Sequence, residues 1–213
     1  MYNLINNHID QIIDVIDPAT HIEPYIWLVQ NFDDINVATH EEFQKKYRAY
    51  WQLNAARLSD SFCNYYFELL QHSKANRDIK VQFIARQLLE VPSHNNGHRA
   101  LQFSFASKLA HMIDHNLPIY DSMVEGFYFL PAKRANESTD NNLARLVESY
   151  EFLIAEYARV LRNGLLSTSI DRFRHKFSLG SVYTDIKIID TLIWRFVSFM
   201  KDGATRTGKV IYG

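Results

Sequence analysis

Lys108 and Asp121 are the two side chains whose types and spacing best suit covalent chemistry in this 213-residue chain. The lysine falls in the first turns of an apolar helix, among Phe103, Phe105, Leu109 and Met112. That helix must stop before Pro118, because proline lacks an amide hydrogen and its ring clashes with the preceding turn. Asp121 follows Pro118-Ile119-Tyr120 and opens the next helix, so the spacing brings an amine and a carboxylate together. An amine attacks carbon only when neutral, and an ordinary lysine, with a pKa of about 10.4, is protonated at pH 7. Burial among apolar neighbours lowers that value and arms the amine. Both residues also have simpler uses: a lysine stem can carry its charge out to solvent, and aspartate is a favoured N-cap for a helix beginning at Ser122.

Three further constellations could carry chemistry. His111-Met112-Ile113-Asp114-His115 puts two histidines and an acid on one helical face, similar to an inverted zinc-protease motif. That motif needs glutamate and a third ligand, so no metal is expected. The residues read instead as a polar C-terminal turn, where a charged histidine complements the helix dipole. Gly203 to Lys209 reproduces the glycine and lysine spacing of a phosphate-binding loop, but Val210 stands where the magnesium-binding hydroxyl belongs, and no strand precedes it. It reads as tail. The aromatics Phe43, Tyr47, Tyr50, Trp51, Phe62, Tyr65, Tyr66 and Phe67 alternate with Lys45, Lys46, Arg48 and Arg57. Such a pattern could stack bases, but core packing with a solvated basic edge is the simpler reading.

The elements that must position these groups are helices. The chain is 47% hydrophobic with only 7 Gly and 5 Pro, and long apolar-periodic stretches separate them. The expectation is an all-α fold: one compact domain of about eight to ten helices over residues 1–201, with a flexible C-terminal tail at 202–213. Helices are predicted over residues 4–16, 22–32, 39–71 and 76–90. Further helices are predicted from Arg99 through Lys108, after Asp121, and over 138–161, 168–176 and 183–200. Thr39 and Glu42 form a capping-box match, Thr168 to Asp171 another. Ser138 to Asp140 can cap the long helix that Gly164 ends.

The single Cys63 excludes an internal disulfide and reads as a small buried hydrophobe in a cytoplasmic protein. Residues 1–16 carry acids and amides rather than a basic region and apolar core, so no secretion signal is expected. No apolar run is long enough to span a membrane. A net charge of -1 gives no global attraction to nucleic acid, so a DNA reader would need a local basic face.

Residues 103–124, and more loosely Lys187-Ile188-Ile189-Asp190-Thr191-Leu192-Ile193-Trp194, resemble the catalytic segments of the helix-hairpin-helix DNA glycosylase superfamily. The likeness is to the small bacterial proteins with an 8-oxoguanine DNA glycosylase-like fold. It implies that Lys108 is the nucleophile attacking C1′ of a flipped, damaged nucleotide and that Asp121 is its charge-balancing partner. A Schiff base would then permit strand cleavage, with no cofactor. Arg99, Lys133 and Arg134 flank the site and are the DNA contacts expected with it. Where that superfamily has a glycine-rich hairpin, this chain has Ser104-Phe105-Ala106, with no glycine nearer than Gly97. That departure, with the near-neutral charge, supports an alternative: a non-enzymatic helical module binding a protein or nucleic acid partner on the same scaffold.

Overall fold

The structure is a computed structural model that describes the backbone of residues 1–77 and 79–207 and side chains as far as Lys201. Among the described residues the chain forms twelve helical segments and no strand. They are α1 (Tyr2–Asn7), α2 (Ile9–Asp14), α3 (Pro18–His21), α4 (Glu23–Phe32), α5 (Glu41–Tyr50) and α6 (Asp60–Asn76). The second half comprises α7 (Val81–Leu89), α8 (Phe103–Ile113), α9 (Ser122–Tyr128), α10 (Thr139–Arg162), α11 (Ser167–Phe177) and α12 (Asp185–Thr207). Helix α8 packs on α7 and α6, while α12 lies against α1, α2, α9, α10 and α11.

The surplus over eight to ten helices comes from the short helix α3, which opens at Pro18, and from two breaks that no proline or glycine marks. The predicted helix over 4–16 divides at His8, and the predicted helix over 39–71 divides into α5 and α6. The second break is a Schellman turn. Gln52 adopts φ 59, its amide bonds the carbonyl of Ala49 at 3.3 Å, and the Leu53 amide bonds that of Arg48 at 2.9 Å. Leu53 is buried, supplying the apolar contact that accompanies this motif. The chain restarts at Ser59, whose hydroxyl accepts from the Phe62 amide and caps α6.

Several predicted boundaries move. His40, not Thr39, caps α5, its Nδ1 accepting from the Phe43 amide at 3.1 Å. Arg99 does not open a helix; it lies in an exposed extended lead, and α8 starts at Phe103. Helix α11 follows Leu166 with no side-chain cap, so the Thr168 box is unused. Ser138 caps α10, and Gly164, at φ 62, ends it. Helix α12 runs past Met200 to Thr207, so the assigned tail at 202–213 overlaps it; residues 208–213, with Lys209 and Val210 of the phosphate-loop spacing, lie outside the described residues.

The core is rich in tyrosine. Tyr25, Tyr47, Tyr66, Tyr157 and Tyr183 are fully buried, and each hydroxyl finds a partner. A buried phenol requires this, since an unpaired polar group would forfeit its hydration. Cys63 is buried as predicted. Among the described residues no helix is long and apolar enough to cross a membrane.

Candidate active site

A cleft of about 1150 Å³ is lined by α3 and α4, the end of α5, α8, the start of α9 and the first turns of α12. Lys108 and Asp121 both line it, so the structure brings the two predicted residues together. Trp27, Trp51 and Trp194 supply aromatic walls, and Lys187 and Asp190 lie at its α12 side.

Lys108 is positioned by the break after α5. A Schellman turn leaves the carbonyl of the capping residue, here Trp51, without a helical amide to bond. The Lys108 Nζ donates to that carbonyl at 3.2 Å and lies 4.9 Å from the Phe105 ring centroid. Burial pushes its pKa below the ordinary lysine value, and the charge of Asp121 pushes back upward. Lys108 is half-buried and lines the cleft.

Asp121 is positioned by the connector before it, whose backbone is fastened at three successive residues. Tyr150 donates its hydroxyl to the Pro118 carbonyl at 2.9 Å. The Ile119 amide donates to Asp190 Oδ1 at 3.4 Å, and the Tyr120 amide to the Ser107 hydroxyl at 3.0 Å. Ser107 is fully buried and adjacent to Lys108, so one residue of α8 ties the carboxylate's segment to the lysine's helix. Asp121 also caps α9, its Oδ1 accepting from the amides of Met123 and Val124 at 2.9 and 3.0 Å. Its other oxygen is not used in that cap.

Lys187 and Asp190 are functional groups that residue spacing left without a role. They sit one turn apart on α12, 6% and 4% exposed, among Ile186, Ile188, Ile189, Leu192 and Ile193. Two opposite charges on the buried face of an apolar helix were the available signal. Lys187 Nζ lies 5.1, 5.5 and 5.0 Å from the ring centroids of Tyr25, Tyr50 and Trp51. Burial lowers its pKa to about 8, against the upward pull of Asp190 and Asp121. Burial likewise raises Asp190 to about 7, against the pull of Lys187 and the hydrogen bond from Tyr157 at 2.8 Å. Asp190 Oδ2 and Trp51 Nε1 are buried with no hydrogen-bond partner among the described residues.

The histidine pair departs from expectation. His111 is not in a solvated turn but fully buried, with Nδ1 2.7 Å from the Leu117 carbonyl and Nε2 2.9 Å from the Tyr25 hydroxyl. Burial, then the nearby Lys187 charge, push its pKa well below the usual value. A neutral ring must then donate through Nδ1 and accept at Nε2. Among the described residues no three His, Cys, Asp or Glu side chains converge to hold a metal.

The three cations expected to meet DNA lie outside the cleft lining. Arg99 is exposed in the lead to α8. Lys133, also exposed, donates to the Leu101 carbonyl at 3.3 Å, which holds it two residues along that lead from Arg99. Arg134 pairs with Glu137 at 3.0 Å, part of a cluster that includes Arg145. Between α7 and α8, where a hairpin would be needed, the chain turns at Gly97 with φ 81, and the Ser93 amide bonds the His98 carbonyl at 2.9 Å.

Compared with protein families, curated proteins and solved structures, the chain matches none.

Proposed function

We propose that this protein excises a damaged base from DNA, with Lys108 as the nucleophile and Asp121 as its partner. The observation that carries this reading is the placement of a half-buried, pKa-depressed Lys108 amine in one cleft with Asp121. The damaged nucleotide is flipped out of the stack into the cleft, where the tryptophan walls offer stacking surfaces. The Lys108 amine attacks C1′ as the base departs, and Asp121 balances the charge that develops on the sugar. Collapse to a Schiff base then permits strand cleavage. Arg99, in the lead to α8, and Lys133, bonded to the Leu101 carbonyl of that lead, are the local cations that would hold the backbone; Arg134 follows Lys133 in the chain.

A second reading rests on the turn at Gly97, which lacks a glycine-rich hairpin, and on the cap that Asp121 makes for α9. On that reading the chain is a helical binding module for a protein or nucleic acid partner. Borohydride trapping separates the two, using duplexes that carry 8-oxoguanine, uracil or an abasic site. A covalent adduct that disappears in Lys108→Ala supports excision. No adduct and no released base with any of the three duplexes removes it in favour of the binding module.

A further inference from the structure

Excision by an amine nucleophile makes two demands that one lysine cannot meet together: the attacking amine must arrive neutral, and the departing base is helped by a proton. The cleft holds a second amine. Lys187 lines it beside Lys108 and Asp121, and three aromatic faces rather than a carboxylate hold its ammonium in place. Among the described residues it makes no ion pair within 4.0 Å, so its protons are not committed to a partner carboxylate.

We infer that Lys187 is the general acid of this site, its ammonium handing a proton to the base as the base leaves while Lys108 attacks the sugar. The inference rests on the excision reading above. As the bond from Lys108 Nζ to C1′ forms, the bond from C1′ to the base nitrogen breaks and its electron pair stays on the base. Lys187 Nζ gives that base a proton and becomes a neutral amine. The new alkylammonium on Lys108 releases a proton to Asp121. Asp190 stands one helical turn from Lys187 with Oδ1 taken by Tyr157 and Ile119, and its charge helps to hold the Lys187 proton until the base leaves.

The neighbours of Lys187 on every element suit this assignment. Tyr25 reaches it from α4, Tyr50 and Trp51 from the end of α5, Lys108 and His111 from α8, and Asp121 from the start of α9. Burial and the Lys108 charge make its proton easier to give up, while Asp190 and Asp121 keep it bound near neutral pH. His111 cannot take the role, because both of its ring nitrogens are engaged. His21 lies at the mouth, with Nδ1 bonded to Thr20 and to the Asp17 carbonyl.

An abasic site has no base to expel, which isolates the proposed step. The full-length protein is assayed for base release from the 8-oxoguanine and uracil duplexes and for borohydride trapping on the abasic duplex. Lys187→Met and Lys187→Arg are expected to slow base release roughly a hundredfold or more while trapping through Lys108 persists. Arginine keeps the charge but does not give up its proton, so its failure marks proton transfer rather than electrostatics. The wild-type rate should fall on an alkaline limb that both variants lack. Undiminished base release in Lys187→Met overturns the assignment, as does equal loss of trapping and release, which marks a structural role. A wild-type protein inert on all three duplexes instead overturns the excision reading on which the assignment rests.

Discussion

The Lys108 amine donates to the Trp51 carbonyl at 3.2 Å, and that carbonyl is available because Gln52 ends α5 in the left-handed region. A side chain there costs about 1–2 kcal/mol relative to ordinary helix conformations. Gln52→Gly should therefore be neutral to stabilising, by up to about 1 kcal/mol, and leave abasic-site trapping unchanged. Gln52→Val, branched at Cβ, should destabilise by more than 1 kcal/mol and weaken trapping as the Trp51 carbonyl shifts. Urea unfolding and trapping yield on the same preparations decide it.

Asp121 combines a cap and a charge, and two substitutions separate them. Asparagine caps about as well as aspartate, so Asp121→Asn should stay within a few tenths of a kcal/mol of wild type while losing excision activity about a hundredfold. Asp121→Ala should lose both, with about 1 kcal/mol of stability. Equal activity in wild type and Asp121→Asn would reduce Asp121 to its cap.

Ser107 joins the helix of Lys108 to the segment of Asp121. Ser107→Ala leaves the buried Tyr120 amide without its acceptor, which should cost about 1–3 kcal/mol. The expected signature is a lowered Tm together with a fall in kcat rather than in substrate affinity, since the residue does not touch the ligand. Unchanged stability would mean the connector is held adequately by Tyr150 and Asp190 alone.

His111 makes stability sensitive to acid. Its pKa in the folded protein is depressed, first by burial and then by Lys187, whereas the unfolded chain titrates near the usual 6.5. The unfolded state therefore binds more protons below that pH, and the stability His111 contributes above it drains away as pH falls. His115, lowered chiefly by burial, acts in the same sense. Denaturation at pH 5.5 and 7.5 should show a larger loss in wild type than in His111→Gln, although the variant starts from a lower value.

How much of this was legible in the chain depends on where the signal was local. The all-helical class followed from apolar periodicity, and Pro118 with the short connector kept Lys108 and Asp121 close along the chain, but that both face one cleft was not legible without the packing around them. The break after Trp51 was not legible, because the Schellman turns after α5, α9 and α11 place Gln52, Phe129 and Ser178 in the left-handed position, where glycine is the usual marker. Only the turn after α10, at Gly164, carried its own label. The Lys187 and Asp190 pair was visible as charge on an apolar helix, but its meaning required knowing that Tyr25, Tyr50 and Trp51 close around it. The burial of His111 was not legible for the same reason: its partners Tyr25 and Leu117 lie on another helix and beyond a turn.

On the excision reading, Lys187 and Asp190 trade stability for chemistry. Asp190 is raised, so the folded state keeps its proton between the ordinary 3.8 and about 7, and its stabilising contribution is full below 3.8 and lost as pH rises through 7. Lys187 is lowered, so its contribution is full only above 10.5 and lost as pH falls through about 8. Between about pH 7 and 8 the fold carries two buried charges at once, and the pair is at its least favourable. Replacing both by neutral groups of similar shape, Lys187→Met with Asp190→Asn, keeps an acceptor for Tyr157 and removes that burden. The double variant should match wild type or exceed it by about 1–4 kcal/mol at pH 7.5, and the advantage should shrink towards pH 4 and pH 10.5. Base release should collapse in the same protein. A double variant less stable than wild type at pH 7.5 would show that the pair is held for the fold, and no such trade would exist.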